Sequence, residues 1–291
     1  GTVILARGSV AARMGLPVAG VVGFVSSYAD GAHTSIPAPG LGALGAGRGG
    51  RSSRLAKALA ALGVEADDIA LVSKHDTSTG ANDPNESELH TRLARALGRS
   101  EGNSLVAVSQ KTITGHAKGG AAVFQVAGLT EILASGVAPG NASLDVVDAP
   151  LAKDAFWVWP RKPIRLAGRG GENGRVPGAG PVRAGLLTSL GFGHVSGLIA
   201  IVHPGAFEAA LRQAVGQEAV DAWLTSANAR LAAGTRRRRA GMIGRAPLFE
   251  PVQGRRLGEE SKQRDPHEVE AAMLLDPDAR LGSDGVYHAG E

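Results

Sequence analysis

Two stretches decide the fold: Ile69-Ala70-Leu71-Val72-Ser73 leading into Lys74-His75-Asp76-Thr77-Ser78-Thr79, and Leu105-Val106-Ala107-Val108-Ser109 leading into Lys111-Thr112-Ile113-Thr114-Gly115-His116. Each is a short, unbroken aliphatic run, the pattern of a strand buried on both faces, and each empties into a polar loop. After the first loop the sequence predicts a helix. Asp83 stands as its N-cap, Pro84 suits the first helical position, and Glu86 completes a capping box. Leu89, Leu93 and Leu97 share one face of that helix and Gly98 ends it. After the second loop, Ala117 to Ser135 reads as a helix rich in small residues that ends near Gly136, with Gly119 and Gly120 placed to let it approach neighbouring backbone. Strand, loop and helix therefore occur twice in succession, which makes parallel strands with right-handed crossovers. Both loops then leave the carboxyl edge of one sheet, where open α/β folds place their sites. His75 and His116 are expected to meet at that edge.

Outward from this centre, Val18 to Ser26 reads as a β-branched strand. The chain opens at Gly1 in strand-like Thr2-Val3-Ile4-Leu5, which suggests a segment of a longer polypeptide. Ser35 to Gly50 is a Pro/Gly-rich loop, and Ser53 to Leu62 is helical until Gly63. Gly45-x-Gly47-x-x-Gly50 fits a dinucleotide fingerprint by letter, but Ile36-Pro37-Ala38-Pro39 precedes it where a strand is required. Gly168 to Gly180 is a glycine-rich loop. Leu186 to Ser189 and Leu198 to Val202 are strands flanking Gly191-Phe192-Gly193-His194. Beyond Pro204 come helical segments Ala206 to Ala214 and Glu218 to Ala233, and after Gly234 a polar, weakly periodic tail.

Composition narrows the function classes. With 43% hydrophobic and 20% charged residues the chain has ample material for a core. No apolar run approaches the ~18 residues of a membrane span, and no signal segment opens the chain. The absence of cysteine excludes a disulfide scaffold, a thiolate metal site and a thiol nucleophile within this segment, and is compatible with the cytoplasm. The formal net charge is +4, and Arg236-Arg237-Arg238-Arg239 is the one dense basic run. From Thr235 onward acidic residues are as numerous as basic ones, and aromatics are only 4% of the chain. That balance reads as a solvated or assembly surface rather than a nucleic-acid footprint, with room for mild attraction to an acidic partner. No His-Glu-x-x-His pair or phosphate-binding loop occurs, so no metal is expected.

The loops resemble a known family. His75-Asp76-Thr77-Ser78-Thr79, followed by Asp83 and Glu86, is similar to the ketosynthase pattern His-Gly-Thr-Gly-Thr with its Asp and Glu, although Asp76 and Ser78 replace the two glycines. Lys111-x-x-x-Gly115-His116 matches the family's second histidine motif. Gly191-Phe192-Gly193 resembles its gating loop, with His194 where many relatives carry glycine. Gly1 to Gly40, with Met14-Gly15-Leu16-Pro17 and Pro37-Ala38-Pro39-Gly40, is similar to the multifunctional type I fatty acid synthases of fungi and actinobacteria. The resemblance covers about residues 1–203 and keeps motif order.

It implies an α/β, thiolase-like fold of layered αβαβα kind, with residues 1–203 supplying mainly the C-terminal half and residues 204–291 a helical segment and irregular tail. The implied activity is that of a 3-oxoacyl-[acyl-carrier-protein] synthase, an acyltransferase that condenses malonyl-carrier protein with an acyl thioester. By the same resemblance His75, His116 and Lys111 are catalytic, Asp83 and Glu86 supporting, and Thr77, Thr79, Phe192 and Gly193 contact substrate or the pantetheine arm. The segment itself binds no cofactor; phosphopantetheine arrives on the acyl carrier protein. Further partners implied are an N-terminal half bearing the cysteine, and other ketosynthase copies and synthase domains in a homo-oligomer. Simpler readings stay open: Glu86 as a capping residue, Thr77 and Thr79 as turn hydroxyls, Phe192 as a core aromatic, and the chain as a non-catalytic assembly segment. His33, His90, His203, His267 and His288 fall outside the motifs.

Overall fold

The computed structural model describes residues 3–31, 41–80, 82–152, 154–166, 182–191 and 194–243, with the short strand pairs at 280–281 and 287–288. Elements in chain order are α1 (Gly8–Met14), β1 (Val21–Ala29), α2 (Arg54–Ala60), β2 (Ile69–Ser73), α3 (Asn82–Ala96), β3 (Leu105–Val108), the single turn α4 (Lys111–Thr114) and α5 (Ala121–Ser135). There follow β4 (Val137–Ala138), α6 (Ala149–Ala152), β5 (Trp157–Val158), β6 (Ile164–Arg165), β7 (Ala184–Gly191), β8 (Val195–Val202), α7 (Gly205–Val215), α8 (Gln217–Met242), β9 (Arg280–Leu281) and β10 (Tyr287–His288). Two compact units divide the chain, Gly1–Ala227 and Asn228–Glu291. Among the described residues no helix is long and apolar enough to cross a membrane.

In the first unit six strands form one sheet in the order β1-β8-β7-β2-β3-β5. β2 pairs in parallel with both β3 and β7, as two successive strand–loop–helix units require. β7 and β8 form an antiparallel hairpin, and β1 joins β8 antiparallel at the edge. Every residue of β2 and β3 is buried, so alternate side chains feed cores on both faces. Val72, Ala107 and Leu186 pack with Leu55, Leu59, Leu89 and Leu93 of α2 and α3. Leu71, Val106, Val108 and Leu187 pack with Leu129, Ile132 and Leu133 of α5. The close approach of α5 to the sheet rests on Gly185, where a Cβ would lie 2.5 Å from Leu129, and on Gly128, where a Cβ would lie 2.0 Å from the Gln110 amide. Gly119 and Gly120, expected to serve that purpose, have no close neighbour.

Other expectations are corrected locally. Residues 3–7 form no strand, and Ile4 and Leu5 are exposed. The helix expected from Ala117 starts at Ala121, after a 3-10 turn at Lys118–Gly120, and it buries one face only. The expected Pro/Gly loop contains 3-10 turns at Leu41–Gly47 and Gly50–Ser52. Helix α8 runs through Gly234 and the arginine run to Met242. An interior glycine costs only about 1 kcal/mol, and arginine and alanine are good helix formers. The glycine-rich stretch 168–180 lies outside the described residues. In the second unit β9 and β10 pair antiparallel.

One buried side chain anchors the entrances of β2 and β3 together. The Arg99 guanidinium donates to Ala66 O (2.8 Å), Ile69 O (2.7 Å), Asn103 O (2.7 Å) and Ser104 O (2.9 Å). Only a planar five-donor fork can reach acceptors on both segments at once. Arg99→Met should therefore lower unfolding free energy by about 3 kcal/mol or more, because it removes four hydrogen bonds donated by one charged group. Urea denaturation of both proteins measures this, and a loss below about 1 kcal/mol would show that the two segments are held by other means.

Candidate active site

The parallel pairing places the ends of β2 and β3 side by side. The Lys74 N–H extends the ladder by donating to Val108 O (2.9 Å), after which the chain turns out at His75. On the neighbouring strand, Ser109 N–H donates to Asn141 Oδ1 (2.8 Å), while the Asn141 amide donates to Ala107 O (3.1 Å) and Pro160 O (3.2 Å). The turn α4 follows and stops at Gly115, whose φ of 67° an L-residue would resist. His116 comes next. The two imidazoles meet edge to face, with ring centroids 5.4 Å apart and planes at 83°.

Their tautomers follow from their neighbours. The Lys111 ammonium donates to His75 O and lies 3.2 Å from His75 Nδ1. An ammonium offers hydrogens and no lone pair, so Nδ1 is the acceptor and Nε2 carries the hydrogen. In His116, Nδ1 accepts from the backbone N–H of Lys118 at 3.1 Å, which again leaves the hydrogen on Nε2. Burial, with the charge of Lys111 adding to it, depresses the His75 pKa to about 4. Slight burial and the charges of Lys111 and Lys118 also lower that of His116. Lys111 is lowered by its own burial, against the pull of Glu86 and Asp76. Near pH 7 the site thus holds two neutral rings, each presenting one Nε2–H.

Glu86 holds the His75 loop in place. Its side chain has no solvent exposure. One carboxylate oxygen accepts from His75 N–H (2.6 Å) and the Thr188 hydroxyl, the other from Asp76 N–H (3.0 Å) and the Asn82 amide (3.3 Å). Burial alone would raise its pKa, but the Lys74 charge and the hydrogen bonds from Thr188 and Asp76 prevail and hold it below the usual carboxylate range. The capping-box reading is therefore corrected: the Glu86 carboxylate turns to the loop. Helix α3 begins at Asn82, so Asp83 lies in its first turn rather than before it, and Asn82 N–H is accepted by the Thr79 carbonyl and hydroxyl.

The two departures from glycine in the loop carry a conformational cost. Asp76 (φ 40°) and Ser78 (φ 56°) both occupy the left-handed region that glycine enters freely. The Glu86 bond to Asp76 N–H compensates at the first. Thr77 lines a cavity of about 350 Å³ together with His116, Lys111, Ser109 and Asn141, and Trp159, Leu144, Val146 and Leu151 form its apolar wall. Thr79 is exposed, bonded to Thr77 Oγ1 (3.2 Å), and does not line the cavity. Phe192 and Gly193 lie outside the described residues. His194 has φ 63°, its Nδ1 is 2.9 Å from Gly31 O, and its carbonyl accepts from Asp30 N–H, which ties the β7–β8 turn to the end of β1.

Several residues at the site carry no motif signal. Gln125 reaches from α5 to donate to Ser73 O (2.9 Å), Lys74 O (3.0 Å) and Thr188 O (3.0 Å), joining the end of β2 to the middle of β7. Lys74 is fully buried, with its Nζ 4.8 Å from the centre of the Trp159 ring. His90 is buried in α3, and Thr188 sits in the middle of β7. The available signal is general: a polar residue inside an otherwise apolar strand or helix face must find a partner.

The pKa shifts set the acid behaviour. For His75 and His90 burial is the main cause, and both titrate at about 4 in the folded chain. Unfolded histidines take up protons near pH 6.5, whereas these two resist until about 4, so stability is full above about 6.5 and falls as pH drops toward 4. Denaturant midpoints measured across that range should decline steadily, and His90→Gln should shallow the decline. A flat profile would contradict the assignment.

The family model for the C-terminal domain of β-ketoacyl synthases matches residues 18–145. Fatty acid synthase 2 of Mycosarcoma maydis is 33% identical over 289 residues, covering 99% of this chain and 7% of that protein. The fatty acid synthase subunit alpha of Saccharomyces cerevisiae is 35% identical over 236 residues, covering 80% of this chain and 11% of that protein. The chain therefore spans only a small part of the length of these relatives. Among solved structures, the noncanonical ketosynthase FabY from P. aeruginosa shares the fold with a TM-score of 0.66 at 23% identity, over 83% of this chain and 35% of that one. An oxazolomycin ketosynthase domain from Streptomyces albus gives a TM-score of 0.55 at 21% identity, over 68% of this chain and 32% of that one.

Proposed function

This chain belongs to the β-ketoacyl synthase family, with a thiolase-like fold, and from that premise we propose that it supplies the two-histidine half of a 3-oxoacyl-[acyl-carrier-protein] synthase within a fatty acid synthase. The observation that carries the proposal is the pair of locked tautomers. Lys111 and the Lys118 N–H occupy the two Nδ1 atoms, so two Nε2–H donors remain, on rings 5.4 Å apart.

The chemistry such a pair suits is stabilisation of an enolate. Malonyl-carrier protein would lose CO₂ by cleavage of its C–COO⁻ bond, and the electron pair would delocalise onto the thioester oxygen. His75 and His116 would each donate an Nε2–H to that oxygen, as preorganised donors do at an oxyanion. The enolate carbon then attacks an acyl thioester, a C–C bond forms, the C–S bond breaks and the thiolate leaves. This chain contains no cysteine, so the proposal assigns the acylated thiol to a partner segment of the synthase. Thr77, at the cavity wall, is proposed to meet the pantetheine arm of the carrier protein. Burial of His75 places its donated hydrogen bond in a less polar setting than that of His116, where such a bond is electrostatically stronger.

Separating the half-reactions tests this. In the synthase carrying this sequence, His75→Ala and His116→Ala are each expected to slow malonyl decarboxylation by about 10² to 10³, the usual cost of one oxyanion donor. Acyl loading of the cysteine should remain close to wild type. Decarboxylation near the wild-type rate in both variants would remove the oxyanion role.

A further inference from the structure

Glu86 is supported by a line of groups that no motif contains. An ionised carboxylate can only accept hydrogen bonds, so the single hydroxyl hydrogen of Thr188 is committed to Glu86. His90 Nε2 lies 3.1 Å from the same Thr188 oxygen. With its hydrogen spent, that oxygen can only accept, so His90 Nε2 carries a hydrogen and donates it. His90 Nδ1 is buried and has no hydrogen-bond partner. A proton there would be a stranded donor near Lys74, so the ring stays neutral in this one tautomer. The ring stands edge-on to Trp157, with centroids 6.3 Å apart and planes at 83°, which fixes its plane. The bonds thus run in one direction, from His90 to Thr188 to the Glu86 oxygen that receives the His75 N–H.

We propose that His90 is a positioning residue for His75, acting through Thr188 and Glu86. Lys111 sets which nitrogen of the His75 ring bears the hydrogen, while the His90 chain sets where the His75 backbone sits. A donor at Thr188 polarises its hydroxyl and strengthens its bond to Glu86, as consecutive hydrogen bonds do in a low-dielectric interior. His90 also replaces what the local pattern calls for. It follows Leu89 and precedes Leu93 on the buried side of α3, where a leucine would pack without desolvating an imidazole. The histidine is explained by the bond it donates.

The consequence for rate rests on the proposed oxyanion role of His75; the chain of bonds does not, and the two are measured apart. His90→Leu keeps bulk and removes the donor, whereas His90→Gln keeps an amide N–H within reach of Thr188. In the assembled synthase, His90→Leu is expected to slow malonyl decarboxylation about tenfold to a hundredfold, the range for outer partners of a site residue, with cysteine acylation within about twofold of wild type. Amide hydrogen exchange at His75 and Asp76, which needs no turnover, should quicken by about tenfold or more as the Glu86 hold loosens. His90→Gln should restore most of both. If His90→Leu does not fold, the comparison moves to Thr188→Val against Thr188→Ser, where only serine should retain protection and rate.

Wild-type protection and rate in His90→Leu would overturn the proposal. So would equal impairment in the leucine and glutamine variants, or in the valine and serine variants, because packing volume would then be the whole effect. If the wild-type synthase decarboxylates no malonyl thioester, the functional reading fails, and the exchange data still decide the relay.

Discussion

Removing a carboxylate entirely from water costs several kcal/mol even after the protein relaxes around it, and Glu86 has no exposed surface. The surroundings must return that cost, and the form of the return organises the site. Four donors surround the two oxygens, from His75, Asp76, Asn82 and Thr188, and they come from the loop after β2, the start of α3 and the middle of β7. Three separate elements therefore share one acceptor group. The loop cannot shift without breaking bonds that have no water to replace them. The left-handed residue at Asp76 persists for this reason, since strained backbone survives where its surroundings over-determine it.

Side-chain amides play the same part at the strand ends. Asn141 spans Ser109, Ala107 and Pro160, while Gln125 spans Ser73, Lys74 and Thr188, so each fixes the point where a strand becomes a loop. Arg99 fixes the opposite ends. The result is a pair of histidines on loops anchored at the ends of buried strands, with unequal environments. His75 is buried and kept neutral chiefly by that burial, whereas His116 is exposed at the cavity and its Nδ1 is occupied by backbone. Burial and the Lys111 charge lower both pKa values, to different degrees, and a separate neighbour occupies each Nδ1.

The sheet centre was legible because unbroken aliphatic runs such as Leu105 to Val108 have few alternatives to a buried parallel strand, and the two loops then had to share an edge. The meeting of His75 with Lys111 and His116 follows from that topology alone. Helix boundaries were less legible. Asp83, Pro84 and Glu86 carry the letters of a capping box, yet tertiary demand for a carboxylate at the His75 loop outweighed the local pairing. Gly234 marked a helix end by the usual rule, but a single glycine costs too little to stop α8 among good helix formers. The amides and Thr188 were illegible for a different reason: their partners lie far along the chain, and only the folded sheet brings them together. The same holds for His90, whose partner Thr188 stands in the β7–β8 hairpin, 98 residues further along the chain.

Lys74 completes the electrostatics. Its ammonium is buried with no hydrogen-bond acceptor and lies 4.8 Å from the centre of the Trp159 ring. Such an arrangement is costly by itself, which points to a long-range purpose. Lys74 is the leading charge that holds Glu86 ionised against burial, and it also disfavours a proton on His90. Were Glu86 to protonate, one oxygen would become a donor, and a group that donates cannot accept from all of its present partners. The His75 or Asp76 N–H, or the Thr188 hydroxyl, would then lose its acceptor in a dry interior. A charge that touches no hydrogen-bond partner therefore maintains the geometry of the loop, by fixing the protonation state of the one group through which α3, β7 and the His75 turn are joined.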